Sequence, residues 1–337
     1  MPIITNDVKN KNIMEDYDRF VQHAKYGSIT QETSWSKAKE CWEPLYVYLE
    51  EAGKIVAAMS ILMIKNVGEK RFAYVTKGPV MDKVSVDYMQ QLIQEAELEL
   101  KKRDVFLLRM DPEYLYTEVL DKQLRTAGFI VRNRGLSGKG TIQPRYNMIV
   151  NLKGKTEEEV LAGFYGKTRY RIRYAEKNGL ESRISSDRTD LEIFYNLYAT
   201  TSERHGISYR PKAYFERLAD SFLASGKMKI ILVSIQGVPD AGGLCFLSGR
   251  KVWYMYAGST HENQVLMAPY LVNWEGIKWA LTEKKEGYDF GGVFELCNDD
   301  GLYQFKNGFV RPDTPTEFIG EIDKVYDQTA YEQFNAE

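Results

Sequence analysis

Apolar residues along the chain follow one order twice. In the first half, LYVYLEEAGKIVAAMSILMI and FAYVTKGPVMD are rich in β-branched and aromatic residues, with turn signals at Ala52-Gly53 and Val67-Gly68. The period then changes: Val86, Met89, Ile93, Ala96 and Leu100 recur at helical spacing behind Ser85, a candidate N-cap. VFLLRMDPE closes the unit as an apolar strand with Arg109 and Asp111 at its end. In the second half, IILVSIQGVPDAGGLCFL and KVWYMYAGS read as strands, Tyr270, Trp274, Ile277 and Leu281 as a helix, and YDFGG as the closing strand. Two copies of hairpin, strand, helix, strand predict a duplicated α+β domain of the α/β sandwich type.

Other segments carry local signals. Residues 14–24 read as a short amphipathic helix, and Ser34 is a candidate cap for a helix carrying Trp35, Ala38 and Trp42 on one side, with Lys37 and Lys39 facing away. Thr156 and Glu159 have capping-box spacing. In KTRYRIRYAEKNG, Thr168, Ile172 and Ala175 share one face; Lys167, Arg169, Arg171, Arg173 and Lys177 lie elsewhere among Tyr170 and Tyr174, and Gly179 ends the helix. DLEIFYNLYATTSERHG reads as a helix capped by Asp190 and stopped by Gly206. In ISYRPKAYF, Arg210 precedes Pro211, a favoured first helical residue, which sets a guanidinium beside free amides suited to an anion. Residues 288–309 read as a strand ending in Gly291 and Gly292, a polar loop, and a short segment that places Phe305 beside Lys306.

Composition narrows the partners. With 337 residues the chain fits two domains. Its 45 basic and 47 acidic residues nearly cancel, so a polyanion must be met by a local patch, and the helix holding Arg169, Arg171 and Arg173 is the basic one. The sparse cysteines Cys41, Cys245 and Cys297 form no framework and point to a reducing, cytoplasmic setting. The three histidines have no metal-ligand spacing, so no metal is expected. The longest apolar stretch, 55–64, is too short to span a bilayer.

The strand order fits the acyltransferase fold called GNAT, in which two neighbouring strands splay to open a substrate groove. The pyrophosphate loop that such enzymes use for coenzyme A is missing: GLSGKG, residues 135–140, precedes a strand-like segment rather than a helix. In order along the chain, YGSITQETSWSKAKECW, FAYVTKGPVMD, RMDPE, TIQPRYNM, ERHGISYRPKAYF, GRKVWYMYAGS, APY, YDFGG, LYQFKNGF and EFIGEIDKV closely resemble the Fem family (FemABX) of non-ribosomal peptidyltransferases, its FemX type above all.

That resemblance implies two tandem GNAT-like domains, 1–147 joined by 317–337 and 148–316, without a long coiled-coil arm. It implies transfer of an amino acid, L-alanine in the FemX type, from aminoacyl-tRNA to the side-chain amine of the stem-peptide lysine of UDP-MurNAc-pentapeptide, with no cofactor; a monomer is expected separately, because two domains of this size can bury adequate cores alone. By motif, Lys37 of SWSK and Arg210 of SYRP would hold the diphosphate, with Ser208, Tyr214 and Tyr256 completing that site. Asp111 of RMDPE would face the stem peptide. Phe305 and Lys306 would meet the tRNA acceptor end, and Lys167, Arg169, Arg171 and Arg173 its phosphates. An aminoacyl ester is already activated, so positioning and oxyanion stabilisation suffice, without a covalent enzyme intermediate; Lys306 is the candidate for the oxyanion or the leaving ribose oxygen. A lipid-linked acceptor and a coenzyme A-dependent N-acyltransferase are the alternatives.

Overall fold

The computed structural model describes residues 11–136, 140–310 and 315–336. The GLSGKG piece therefore falls partly outside the described residues. The chain forms two compact units, Met1–Arg145 with Glu317–Glu337, and Tyr146–Thr316.

The first unit runs α1 (Lys11–His23), α2 (Thr33–Lys37), β1 (Glu43–Glu51), β2 (Lys54–Val67), β3 (Lys70–Val75), β4 (Val80–Met81), α3 (Val86–Lys102), β5 (Val105–Met110), α4 (Glu118–Thr126) and β6 (Ile130–Arg132). The second runs β7 (Tyr146–Asn151), α5 (Glu157–Gly163), α6 (Gly166–Lys177), β8 (Leu180–Ser185), α7 (Thr189–Arg204), α8 (Lys212–Phe222), β9 (Met228–Ile235), β10 (Val238–Ser248), β11 (Lys251–Ser259), α9 (Ala268–Thr282), β12 (Gly287–Val293) and α10 (Gly301–Val310). β13 (Thr316–Glu317) marks the crossing, and β14 (Glu321–Val325) and α11 (Gln328–Ala336) complete the first unit. Among the described residues the longest helix is α3, with 17 residues, and none is long and apolar enough to cross a membrane.

The first sheet is ordered β1-β2-β3-β5-β14-β6, with β4 beside β2. Its strands read as continuous apolar runs because both faces are covered. Along β1, Leu45, Val47 and Leu49 join the core with Met89 and Ile93 of α3, while Tyr46 and Tyr48 turn to Tyr17 and Val21 of α1. The returning β14 is fixed by charge as well as by its ladder: buried Arg109 of β5 grips both oxygens of Asp323 at 2.7 Å. Tyr331 of α11 donates to the same carboxylate at 3.0 Å.

The second sheet is ordered β13-β7-β12-β11-β10-β9-β8. Helix α9 buries Tyr270, Leu271, Trp274 and Ile277 in its core, and its near-uniform apolarity reflects cover on several sides. Helix α7 crosses β11 so closely that a Cβ at Gly258 would stand 2.3 Å from the backbone of Leu197 and Tyr198. That approach requires glycine.

Some local readings change. Ser34 lies inside α2, whose N-cap is Glu32 and whose helix ends before Trp42. The cap is supplied from α1: Asp18 accepts from the Thr33 amide at 2.8 Å and from its hydroxyl at 2.6 Å. Asp190 sits in the first turn of α7 rather than at its cap and pairs with Arg183 at 2.5 Å; Asp187 accepts from the Thr189 amide instead, at 2.9 Å. Pro211 is the N-cap of α8, one position earlier than expected. The Gly291-Gly292 pair does not end its strand, because β12 passes through it and continues to Val293.

Candidate active site

The second unit contains the parting of strands that an acyltransferase groove needs. β11 and β12 are parallel neighbours only at Lys251↔Gly287, Val252↔Tyr288 and Trp253↔Asp289. Beyond that point β11 continues to Ser259 and β12 to Val293 without pairing to each other. β12 bulges there, its register against β7 shifting between Asp289 and Gly292. The corresponding pair in the first unit, β3 and β5, shifts register once after Arg71 but stays paired to Val75↔Met110. In the bulge Gly291 has φ +76°, and a Cβ on it would lie 3.7 Å from Trp253 Nε1 and 3.8 Å from Lys306 Nζ. The turn therefore brings bare backbone against the lysine.

Lys306 projects from α10 and is only 8% exposed. Its Nζ donates to the Gly292 carbonyl at 2.9 Å. Burial pulls its pKa from 10.5 down to about 8, against the opposing charges of Asp289 and Asp300. The result is a cation held in a poorly solvated place, which interacts strongly with any negative charge that develops near it. Phe305, its neighbour, packs edge-on to Tyr270 with ring centres 4.9 Å apart and to Phe309 at 5.5 Å.

Two cavities flank this ring cluster. One, of about 400 Å³, is lined by Lys167, Thr168, Arg171, Tyr270, Gln304 and Phe305 among others. The other, of about 340 Å³, is lined by Arg171, Asp240, His261, Met267, Tyr270 and Phe305 among others. Arg171, Tyr270 and Phe305 are common to both. Arg171 donates to the Tyr270 hydroxyl and lies over its ring, Cζ 4.9 Å from the centre. A guanidinium and aromatic faces at a cavity wall suit a phosphate with an unpaired base beside it.

The basic helix α6 divides its cations. Thr168, Ile172 and Ala175 are buried as the spacing implied, while the side chains of Lys167 and Arg173 are exposed and form no hydrogen bond or ion pair with described residues. Arg169 turns back to the carbonyls of Phe164 and, at 3.0 Å, Ala162, and so closes the end of α5. Arg171 reaches the cavities instead.

Arg210, Ser208, Tyr214 and Tyr256 also belong to the second unit. Arg210 is exposed, with Cζ 5.4 Å from the Tyr214 ring centre, and its amide donates to the Tyr198 hydroxyl at 3.3 Å. The Tyr214 and Tyr256 hydroxyls are hydrogen-bonded at 2.9 Å. Ser208 is exposed on the same approach to α8, whose N-cap supplies no side-chain bond. Lys37 and Asp111 belong to the first unit. Lys37 is exposed at the end of α2. Asp111 is 5% exposed; its Oδ1 accepts from the Lys77 amide at 2.7 Å, and its Oδ2 has no hydrogen bond but faces Lys77 Nζ at 3.6 Å. Burial raises the Asp111 pKa from 3.8 to about 6, with Lys77 opposing the rise.

Three participants were not singled out from sequence: Lys77, Tyr270 and Asp289. Asp289 had a visible signal, a carboxylate two residues before a glycine pair. Tyr270 read as helix core, and Lys77 lay unremarked within the strand-like FAYVTKGPVMD. Among the described residues no group of three or more His, Cys, Asp or Glu side chains is arranged to hold a metal ion.

Comparison with known proteins agrees with this architecture. A protein from Weissella viridescens named UDP-N-acetylmuramoylpentapeptide-lysine N(6)-alanyltransferase is 40% identical over 336 residues, covering 98% of each chain. A crystal structure of FemX superposes with a TM-score of 0.87 at 22% identity, over 96% of this chain and 98% of that one. A tandem GNAT protein from the clavulanic acid biosynthesis pathway shares the fold at a TM-score of 0.54 and 8% identity, over 96% of this chain and 98% of that one. The model of the FemAB family matches residues 13–238 and 234–336. With two such sheets, a parted strand pair and a family match along nearly its whole length, this chain belongs to the FemAB family of aminoacyltransferases.

Proposed function

We propose that this protein transfers L-alanine from alanyl-tRNA to the side-chain amine of the stem-peptide lysine in UDP-MurNAc-pentapeptide, starting the peptidoglycan interpeptide bridge. The observation that carries the reading is Lys306, a buried cation at the parting of β11 and β12 beside an aromatic wall. The name of the Weissella viridescens relative supports the choice of acceptor and amino acid. The enzyme works as a monomer in the cytoplasm, where the soluble nucleotide is made.

In this reaction the lysine amine attacks the ester carbonyl, a tetrahedral oxyanion forms, and the bond to the ribose oxygen breaks as that oxygen gains the proton the amine loses. Lys306 stabilises the oxyanion or the departing oxygen. Asp111 faces the stem peptide and orients the amine. Phe305 and Tyr270 receive the unpaired acceptor end; Lys167, Arg171 and Arg173 meet its phosphates, while Arg169 supports the helix that presents them. Lys37 and Arg210 hold the nucleotide diphosphate, with Ser208, Tyr214 and Tyr256 around it.

Competition between donors and acceptors tests the assignment. Consumption of charged tRNA should be fastest for the alanyl form and should require the soluble nucleotide. Equal consumption with a lipid-linked precursor in its place would transfer the acceptor assignment to that precursor, and turnover of acetyl-coenzyme A would reopen the reaction class.

A further inference from the structure

At the point where β11 and β12 separate, one carboxylate gathers the surrounding groups. Asp289 is fully buried. Its Oδ1 accepts from the Gly291 amide at 2.7 Å and from Asn147 Nδ2 at 3.2 Å; its Oδ2 accepts from Lys251 Nζ at 2.5 Å and from Asn147 Nδ2 at 3.1 Å. These partners come from β7, β11 and the bulge of β12 itself. The bond to Gly291 closes the bulge, and the next residue, Gly292, offers the carbonyl on which Lys306 Nζ rests. Among the described residues no carboxylate forms a direct ion pair with Lys306; the charges that act on it are Asp289 from β12 and Asp300 ahead of α10, and Lys251 of β11 is paired to Asp289.

We propose that Asp289 is a positioning residue for the reaction, fixing the bulge that docks Lys306 and acting as the buried counter-charge on which the lysine's cationic state depends. A buried carboxylate held by four hydrogen bonds from three donor groups is rigid, so the Gly292 carbonyl is fixed before substrate arrives. The same charge offsets the burial that drives Lys306 toward its neutral form. Lys251 completes the arrangement by neutralising part of Asp289, so the two ends of one ion pair act on Lys306 with opposite sign. This inference rests on the proposed role of Lys306.

That opposition supplies the test. Asp289→Asn and Lys251→Met break the same pair, so damage to the fold alone would make them behave alike. The Lys306 titration is followed by side-chain NMR on lysine-labelled protein, alongside the alkaline limb of kcat/KM. In Asp289→Asn the Lys306 pKa and the limb should both fall by about one pH unit. In Lys251→Met the Lys306 pKa should rise. Shifts in the same direction, or no shift in either, would overturn the inference. Should Asp289→Asn fail to fold, the rise in Lys251→Met decides alone, and its absence counts against the idea. If Lys306 titrates as expected while the alkaline limb stays in place, Asp289 keeps its positioning role and the catalytic role of Lys306 is what fails.

Discussion

Replacing Lys306 by methionine separates what the ammonium does for the fold from what it does for the reaction. The two side chains have similar length and only one is charged. Lys306 titrates at about 8 in place of 10.5; at ~1.36 kcal/mol per pH unit, holding the charge costs the folded state roughly 3 kcal/mol at neutral pH. A lysine whose folded pKa lies below its unfolded value loses its proton first in the folded chain. The wild-type protein therefore gains stability as pH rises from about 8 to 10.5, and the cost is present in full below 8. Methionine escapes that cost but gives up the bond to Gly292, which is worth about 1.5–3 kcal/mol for a charged donor. The two nearly cancel, so Lys306→Met should unfold at pH 7 within a few degrees of wild type and should lack the alkaline gain. Its rate should fall by about 10²–10³, as when one oxyanion donor is removed. Thermal unfolding at pH 7 and pH 9, with alanyl-tRNA turnover under saturating substrates, reads both effects. A near wild-type rate would refute the catalytic argument. A large loss of stability at pH 7 would place Lys306 among residues that hold the fold.

Asp111 has its pKa raised from 3.8 to about 6, so the unfolded chain ionises first and the folded state loses stability as pH rises across that interval. Asp111→Asn should flatten the dependence in pH-resolved unfolding and remove an acid limb near pH 6 from kcat/KM; an unchanged limb would assign it to another group. Arg210 and Lys37 are exposed, so methionine at either should weaken UDP-MurNAc-pentapeptide binding by about 10- to 100-fold in calorimetry while Tm holds. A parallel loss of tRNA binding would argue against a diphosphate clamp. Within α6, Arg173→Gln should lower the salt slope of tRNA affinity by about one unit without moving Tm, whereas Arg169→Ala should lower Tm because it frees the carbonyls of Ala162 and Phe164. Identical behaviour of the two variants would remove the division drawn between them.

What the sequence made legible was local. Ser85 does cap α3, accepting from the Tyr88 amide, and Thr156 and Glu159 do form a capping box. These signals lie within one helical turn, so neighbouring residue types suffice to fix them. Phe305 and Lys306 are adjacent in sequence, and their pairing needed no fold to be seen. The cap of α2 was missed because its acceptor, Asp18, comes from another helix. Arg109 reaches Asp323 across 214 residues, Asn147 reaches Asp289 across 142, and Arg171 reaches Tyr270 across 99. No periodicity records such meetings. Asp289 illustrates the limit well, since its three donors become visible only when β7, β11 and β12 lie side by side.

Transfer of alanine to one particular amine is read off the mass spectrum of the nucleotide product. Purified protein with UDP-MurNAc-pentapeptide and alanyl-tRNA should yield a nucleotide heavier by one alanine residue, which fragmentation places on the side-chain nitrogen of the stem-peptide lysine. An unmodified nucleotide, with the protein folded and the nucleotide bound, would contradict the account, as would alanine attached at any other position.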